Sequence, residues 1–247
     1  GIRGAAIATV IGQWVAMVIT LLAVMKKYSL RGTCKPEFCK QIYANGIGSI
    51  VTQSLYTIYI VGLNMILKIF TEDAVTVLGI YYKIQSFFFI PLLGFQQVLL
   101  PLFSYHYGAG DRHRNRNILK CAMTFSAAIM AVATGIFLLF PEKLVQIFSM
   151  ESTILLIGKY AFPVISISFV FAGLTIVITS YLQGIAHIKS SLFIIVLRQI
   201  VLLIPLAWVF HFMGLNAVWW TFPVTEIIAS MTGILIIVIL HKQDSIL

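Results

Sequence analysis

Nearly unbroken apolar stretches recur along the chain at 5–25, 42–67, 74–103, 118–140, 154–182, 190–212 and 215–240, separated by short connections that hold most of the charge. Each is long enough to cross a bilayer, whose hydrocarbon core of about 30 Å takes about 20 helical residues. Runs such as Ile194-Ile195-Val196 and Leu202-Leu203-Ile204-Pro205 lack the two-residue alternation of barrel strands. A helix pairs its backbone polar groups within its own segment, as lipid demands. The pattern predicts an all-α integral membrane protein with seven transmembrane helices.

Composition agrees with that reading and narrows it. Of 247 residues, 60% are hydrophobic and only 10% charged, with a mean hydropathy of +0.99. A soluble domain carries roughly a quarter charged residues, and a chain this apolar does not stay solvated as a coil. The net charge of +9 would point a soluble protein toward nucleic acid. Here the bases fall in alternate connections: Lys26, Lys27, Arg31, Lys35 and Lys40, then Arg112, Arg114, Arg116 and Lys120, then Lys189, then Lys242. The intervening connections hold Lys68 with Glu72 and Asp73, Lys143 with Glu142 and Glu151, and finally only His211. The positive-inside rule turns this alternation into an orientation, with the C-terminus in the cytoplasm and Gly1 outside, so no nucleic-acid partner is expected. Cys34, Cys39 and Cys121 form no disulfide framework, and the four-residue gap between the first two, with no nearby His, does not suit zinc. They are expected to be reduced thiols facing the cytoplasm. The chain opens at Gly1 directly before an apolar run, with no initiator Met or signal peptide, which predicts a fragment.

The thirteen residues from Gly1 to Gln13 align with those from Gly214 to Glu226, at an offset of 213. Both begin with Gly and an aliphatic residue, carry small residues, and place a polar group at the same depth. Both run from outside to inside, so the relation is a parallel repeat of the kind that relates transporter halves, with a six-helix unit. A second cue is Pro91-x-x-Gly94-x-Gln96-Gln97-x3-Pro101-x3-Tyr105-His106-Tyr107-Gly108-Ala109-Gly110, followed by Arg112 and Arg114. With the Gly1-x-x-Gly4-Ala5-Ala6-Ile7-Ala8-Thr9 opening, it resembles the C-terminal lobe of the multidrug and toxic compound extrusion (MATE) efflux transporters, over essentially the whole chain. His106 departs from the Asn common between the two tyrosines.

The resemblance implies twelve helices in two six-helix lobes around a substrate cavity, exchanging H+ or Na+ for organic cations or other amphiphilic drugs, with no cofactor. On this reading 1–27 is the last helix of the N-terminal lobe, 28–41 a cytoplasmic inter-lobe linker, 42–241 the complete second six-helix lobe and 242–247 a cytoplasmic tail. The expected partners are small-molecule drugs or organic cations, membrane lipid and the missing N-terminal lobe. Some relatives carry acidic residues in their seventh and tenth helices, whereas 42–67 and 154–182 contain none. This resembles the branch whose coupling Asp lies in the first helix, outside this chain.

Charged groups in mid-span are costly, by about 2.5–3.5 kcal/mol on insertion scales, so each is a candidate for function. Glu226 lies about 18 Å along its helix from the outer end, a candidate proton carrier or drug counter-ion that an internal base such as Arg198 would otherwise neutralise. Lys83 and Arg198 are the other mid-span charges. Gln53, Asn64, Gln96 and Gln97 complete the substrate or ion pathway candidates, with Gln85 and Gln183 as further uncharged donors, each also suited to hydrogen bonds between helices. Pro91, Pro101, Pro163, Pro205 and Pro223 are expected helix kinks, because proline removes a backbone donor. Tyr56, Tyr59, Tyr81, Tyr82, Phe87, Phe88 and Phe89 are suited either to a flat cation or to packing.

Gly108-Ala109-Gly110 is too short for a dinucleotide loop, and Walker and HExxH motifs are absent. The histidines at 106, 113, 187, 211 and 241 fall at span ends or in connections, so neither an enzyme nor a metal site is expected. The reading is therefore an ion-coupled multidrug antiporter working by alternating access. The rivals are a lipid-linked saccharide flippase or polysaccharide exporter of the same superfamily and, less well supported, a membrane enzyme. The orientation has a direct check: a fluorescent protein fused after Leu247 should fold and fluoresce, and alkaline phosphatase fused there should be inactive. The opposite pattern would invert the topology.

Overall fold

The computed structural model describes residues 2–27 and 36–244. The described chain is helical throughout: α1 Ile2–Lys27, α2 Pro36–Lys68, α3 Glu72–Gly108, α4 Arg112–Leu139, α5 Pro141–Gln146, α6 Ser152–Ser166, α7 Ser168–Gly184, α8 Ile188–Val196, a π turn Leu197–Leu202, α9 Leu203–His211, α10 Leu215–Val218 and α11 Thr221–Asp244. Among the described residues, five single segments are long and apolar enough to cross a membrane: Ala6–Lys26, Glu72–Gly108, Arg112–Leu139, Ile188–His211 and Leu215–Leu240. The bent pair α6 and α7 makes a sixth. The expected span at 42–67 lies on α2, where the side chains of 41–52 are outside the described residues, as are Arg31, Cys34, Lys35 and most of the 28–41 linker.

The chain divides into two compact units, Gly1–Ile47 and Gly48–Leu247. The first contains α1, whose described side chains are all exposed, Ile7 and Trp14 among them. The second contains the core, built around α7, which packs against α3, α4 and α11. Most of the circumference of α7 is buried, from Phe169 and Ala172 through Val177 and Ile178 to Leu182 and Gly184. Tyr81, Phe137, Phe162 and Phe169 form an aromatic cluster beside it, with Tyr81 stacked on Phe169 at 6.3 Å. Lipid supplies no hydrophobic drive between helices, so association depends on close packing. Two glycines of α7 provide it: a Cβ on Gly184 would lie 2.5 Å from Phe103 Cβ and 3.4 Å from Leu100 O, and one on Gly173 would lie 2.7 Å from Ser126 Oγ.

The structure corrects the expected connections. Arg112, Arg114, Arg116 and Lys120 do not form a loop: α4 begins at Arg112, capped by Asp111, whose Oδ1 accepts a hydrogen bond from Arg114 N at 2.9 Å. The turn is only Ala109 to Asp111, made tight by Gly110 at φ 74°. The fifth span is likewise two helices, meeting at 43° just beyond Pro163, rather than one kinked helix. Carbonyls at this break are met by hydroxyls. Ser166 Oγ donates to Pro163 O at 2.8 Å, Ser168 Oγ to Ile165 O at 2.6 Å, and Thr134 Oγ1 of α4 to Ser166 O at 3.0 Å. Pro91 and Pro101 stand inside the unbroken α3. Pro205 follows the π turn, and Pro223 sits in the first turn of α11, just after α10 ends.

Gly184→Ala should lower stability by roughly 1–3 kcal/mol, the usual cost of an added methyl in a packed core. Gly79→Ala, at a helical glycine with open space around its Cα, should change stability by no more than about 1 kcal/mol, in the stabilising direction. Detergent unfolding curves of the two variants measure the difference, and equal effects would refute the close α7–α3 contact.

Candidate functional site

Three mid-span polar groups face one another in the second unit. The sixth span is interrupted by the π turn, in which Leu203 N bonds to Arg198 O, five residues back. Pro205 has no N–H to offer the carbonyl four residues before it, and the extra residue of a π turn absorbs that defect. The turn carries Arg198 and Gln199 into a small cavity of about 30 Å³, lined also by Tyr59 of α2, Tyr82 and Gln85 of α3, Ser168 of α7, and Glu226 of α11. Arg198 Nε lies 2.8 Å from Glu226 Oε1. The Glu226 side chain is 8% exposed and that of Arg198 25%. The pair is therefore asymmetric, with a carboxylate enclosed by helices and a guanidinium that retains some access.

Only one Glu226 oxygen is engaged: Oε2 is buried without a hydrogen bond, as is Gln199 Oε1. Thr221 and Thr225, on the same helix, also hold buried hydroxyl oxygens without partners. Unpaired acceptors at this depth are costly, and a carboxylate oxygen among them has the chemistry to accept a proton or a small cation. Among the described residues, no group of three His, Cys, Asp or Glu is placed to hold a metal ion.

The remaining sequence candidates lie elsewhere. Gln53 and Gln97 are exposed, and Asn64 and Gln96 half-buried, away from the cavity lining. Lys83 is exposed, with Nζ 5.6 Å from the centroid of Phe148, beyond α5. It snorkels along its helix rather than entering the cavity. Gln183 Nε2 donates to Ser191 Oγ, which in turn donates to Thr179 O, tying α7 to α8. Of the aromatic residues, Tyr59, Tyr81 and Tyr82 all border the cavity, Tyr81 from within the core cluster, and Phe87 is 71% exposed. Sequence reasoning missed the π turn and Gln199. The signal was present in Pro205, six residues after Gln199, within a span that also carries a mid-membrane Arg.

Membrane-length helices packed around an internal ion pair define an integral, multi-pass membrane protein. The chain belongs to the MatE family, whose profile matches residues 48–209. It is similar to the multidrug export protein MepA of Staphylococcus saprophyticus, 23% identical over 247 residues, which cover 97% of this chain and 54% of MepA. A probable multidrug resistance protein, NorM of Thermotoga maritima, is 23% identical over 227 residues, covering 89% of this chain and 49% of NorM. The solved structure of the MATE multidrug transporter DinF-BH superposes with a TM-score of 0.78 at 26% identity, covering 94% of this chain and 54% of DinF-BH. The chain thus spans about half the length of the relatives it matches.

If the Arg198–Glu226 pair holds α11 against the π turn, Arg198→Gln should lower stability by roughly 3–5 kcal/mol, because it leaves the enclosed Glu226 charge uncompensated, and Glu226→Gln by less, because Arg198 keeps some access. The double variant should lose less than the sum of the two single ones. A double-mutant cycle on unfolding free energies measures the coupling, and additive losses would show that the two groups do not act as a pair.

Proposed function

We propose that this chain supplies the C-terminal lobe, together with the last helix of the N-terminal lobe, of a secondary active multidrug efflux antiporter. In this reading 1–27 is that last helix, 28–41 the inter-lobe linker, 42–241 the six-helix lobe and 242–247 the cytoplasmic tail. H+ or Na+ is exchanged for organic cations or amphiphilic drugs as the two lobes rock about a central cavity. The family match and the names of the relatives support this reading. The observation that carries the site assignment is the half-engaged Glu226, a carboxylate held at membrane depth by Arg198 with its second oxygen uncommitted.

Glu226 and Arg198 then act as one unit. While the pair is closed its net charge is near zero, which suits a lipid-depth interior. Protonation of Glu226, or arrival of a cation at Oε2, weakens the hold on Arg198 and couples ion occupancy to the contact between α11 and the π turn. Gln53, Asn64, Lys83, Gln96 and Gln97 are assigned to the wider substrate or ion pathway, outside this cavity. A saccharide flippase would need free intramembrane cations for a pyrophosphate, and the one base that lines this cavity is committed to Glu226.

The test uses the complete gene expressed in cells stripped of their own pumps, with efflux of a fluorescent cation as readout. Wild-type protein should lower dye accumulation, and a protonophore or removal of Na+ should abolish the effect, which names the coupling ion. Arg198→Gln/Glu226→Gln should reach the membrane in normal amounts and export dye at about a tenth of the wild-type rate or less. Export at the wild-type rate would reduce the pair to a packing element. No dye or drug phenotype for the wild-type gene would remove the efflux assignment.

A further inference from the structure

At the end of the second unit where the α3–α4 turn lies, a cleft of about 460 Å³ opens between α4 and α11. Its volume is within the range of small-ligand pockets, roughly 300–1,000 Å³. Among the described residues seven line it: Arg116, Leu119, Lys120 and Met123 from α4, and Ile237, Val238 and Lys242 from α11. Of these seven, three are bases and four are apolar. Their order along the helices separates them. Arg116 and Lys120 belong to the first three turns of α4 and Lys242 to the last turn of α11, while Met123, Ile237 and Val238 lie further along toward the helix centres. At about 1.5 Å per residue, the bases fall near the helix ends and the apolar wall runs on for about another turn.

Leu119 and Ile237 are buried in the core cluster that joins these helices to α7, with Met123 packed against it, so packing fixes the base of the apolar wall while Val238 stands at its exposed edge. The cleft is therefore amphipathic along the membrane normal, cationic at the mouth and hydrocarbon-like within. A soluble anion satisfies the mouth alone, and a neutral lipid the wall alone.

We propose that this cleft is a binding site for an anionic glycerophospholipid, with the headgroup phosphate on Arg116, Lys120 and Lys242 and the start of an acyl chain against Leu119, Met123, Ile237 and Val238. Bases near an anionic membrane surface each strengthen attachment about fivefold, and intramembrane clefts that gather several of them take lipid headgroups. Arg116 adds a planar fork of donors matched to two phosphate oxygens. A lipid seated here bridges α4 and α11, both of which pack on α7. The assignment does not depend on what the protein transports.

Native mass spectrometry of the purified full chain, titrated with dioleoyl-phosphatidylglycerol, dioleoyl-phosphatidylcholine or inorganic phosphate, tests it. Phosphatidylglycerol should be retained at concentrations at least tenfold below those at which phosphatidylcholine is retained, and inorganic phosphate should not displace it. Arg116→Gln/Lys120→Gln/Lys242→Gln should lose at least tenfold in phosphatidylglycerol affinity, and Arg116→Lys/Lys120→Arg/Lys242→Arg should stay within about threefold of wild type. Arg112→Gln/Arg114→Gln/Lys189→Gln, which removes three bases outside the cleft, should also stay within about threefold. A loss in that control equal to the loss in the cleft variant would overturn the site in favour of diffuse surface attraction. Displacement by phosphate would overturn it in favour of a free anion, and equal retention of the two lipids would overturn it outright. A second readout needs no variant: phosphatidylglycerol should raise the melting temperature of the unsubstituted chain and phosphatidylcholine should not, and equal rises would count against the site.

Discussion

A bilayer interior offers no water to a polar group, and the form of this protein follows from how each such group finds a partner. The backbone solves the problem by being helical almost everywhere it is described. Where the helix fails, the sequence supplies substitutes. Hydroxyls of Ser166, Ser168 and Thr134 meet carbonyls at the α6–α7 break, and the π turn keeps the backbone paired ahead of Pro205. The same constraint governs the ionisable side chains. Lys83 escapes along its helix toward Phe148, while Arg198 and Glu226, too deep to escape, neutralise each other.

The ion pair and the π turn form one arrangement. A regular helix through 197–202 would rotate the later part of the sixth span by about 100° for the residue it saved. The widened turn presents Arg198 and Gln199 to the cavity and still delivers Leu203 and Ala207 to the core. Glu226 reaches the same place from α11, whose flanking Thr225, Ala229 and Ser230 are small enough to leave the approach open.

Much of this was legible in the sequence. Apolar run lengths located six membrane-length segments, and the special mid-span residues Arg198 and Glu226 were visible because charge is rare there. Two kinds of information were not legible. The first is rotation about a helix axis: Gln53, Gln97 and Lys83 are as polar as Gln199, but which way each faces depends on packing that periodicity cannot resolve in helices apolar on every side. The second is where a helix breaks. Pro163 announces a weakness, yet the same residue type passes through α3 at Pro91 and Pro101 without interruption, and only at the break do the hydroxyls of Ser166 and Ser168 take up Pro163 O and Ile165 O. The charged connection at 112–120 was misread for a related reason. Basic residues signal an interface but do not tell loop from helix, and here they occupy the first turns of α4 behind a three-residue turn.

The hydrogen bond from Thr134 to Ser166 O reaches across from α4 to the break in the fifth span. A bend left to itself would be a hinge, free to open and close with temperature or load. This one is met from outside by Thr134, whose hydroxyl also lies 2.9 Å from Met130 O of its own helix, so a change in the bend angle costs a contact with α4. The shape of the fifth span and the seating of α4 are thereby linked, and the most visibly broken helix in the fold is also one that a neighbouring helix helps to hold.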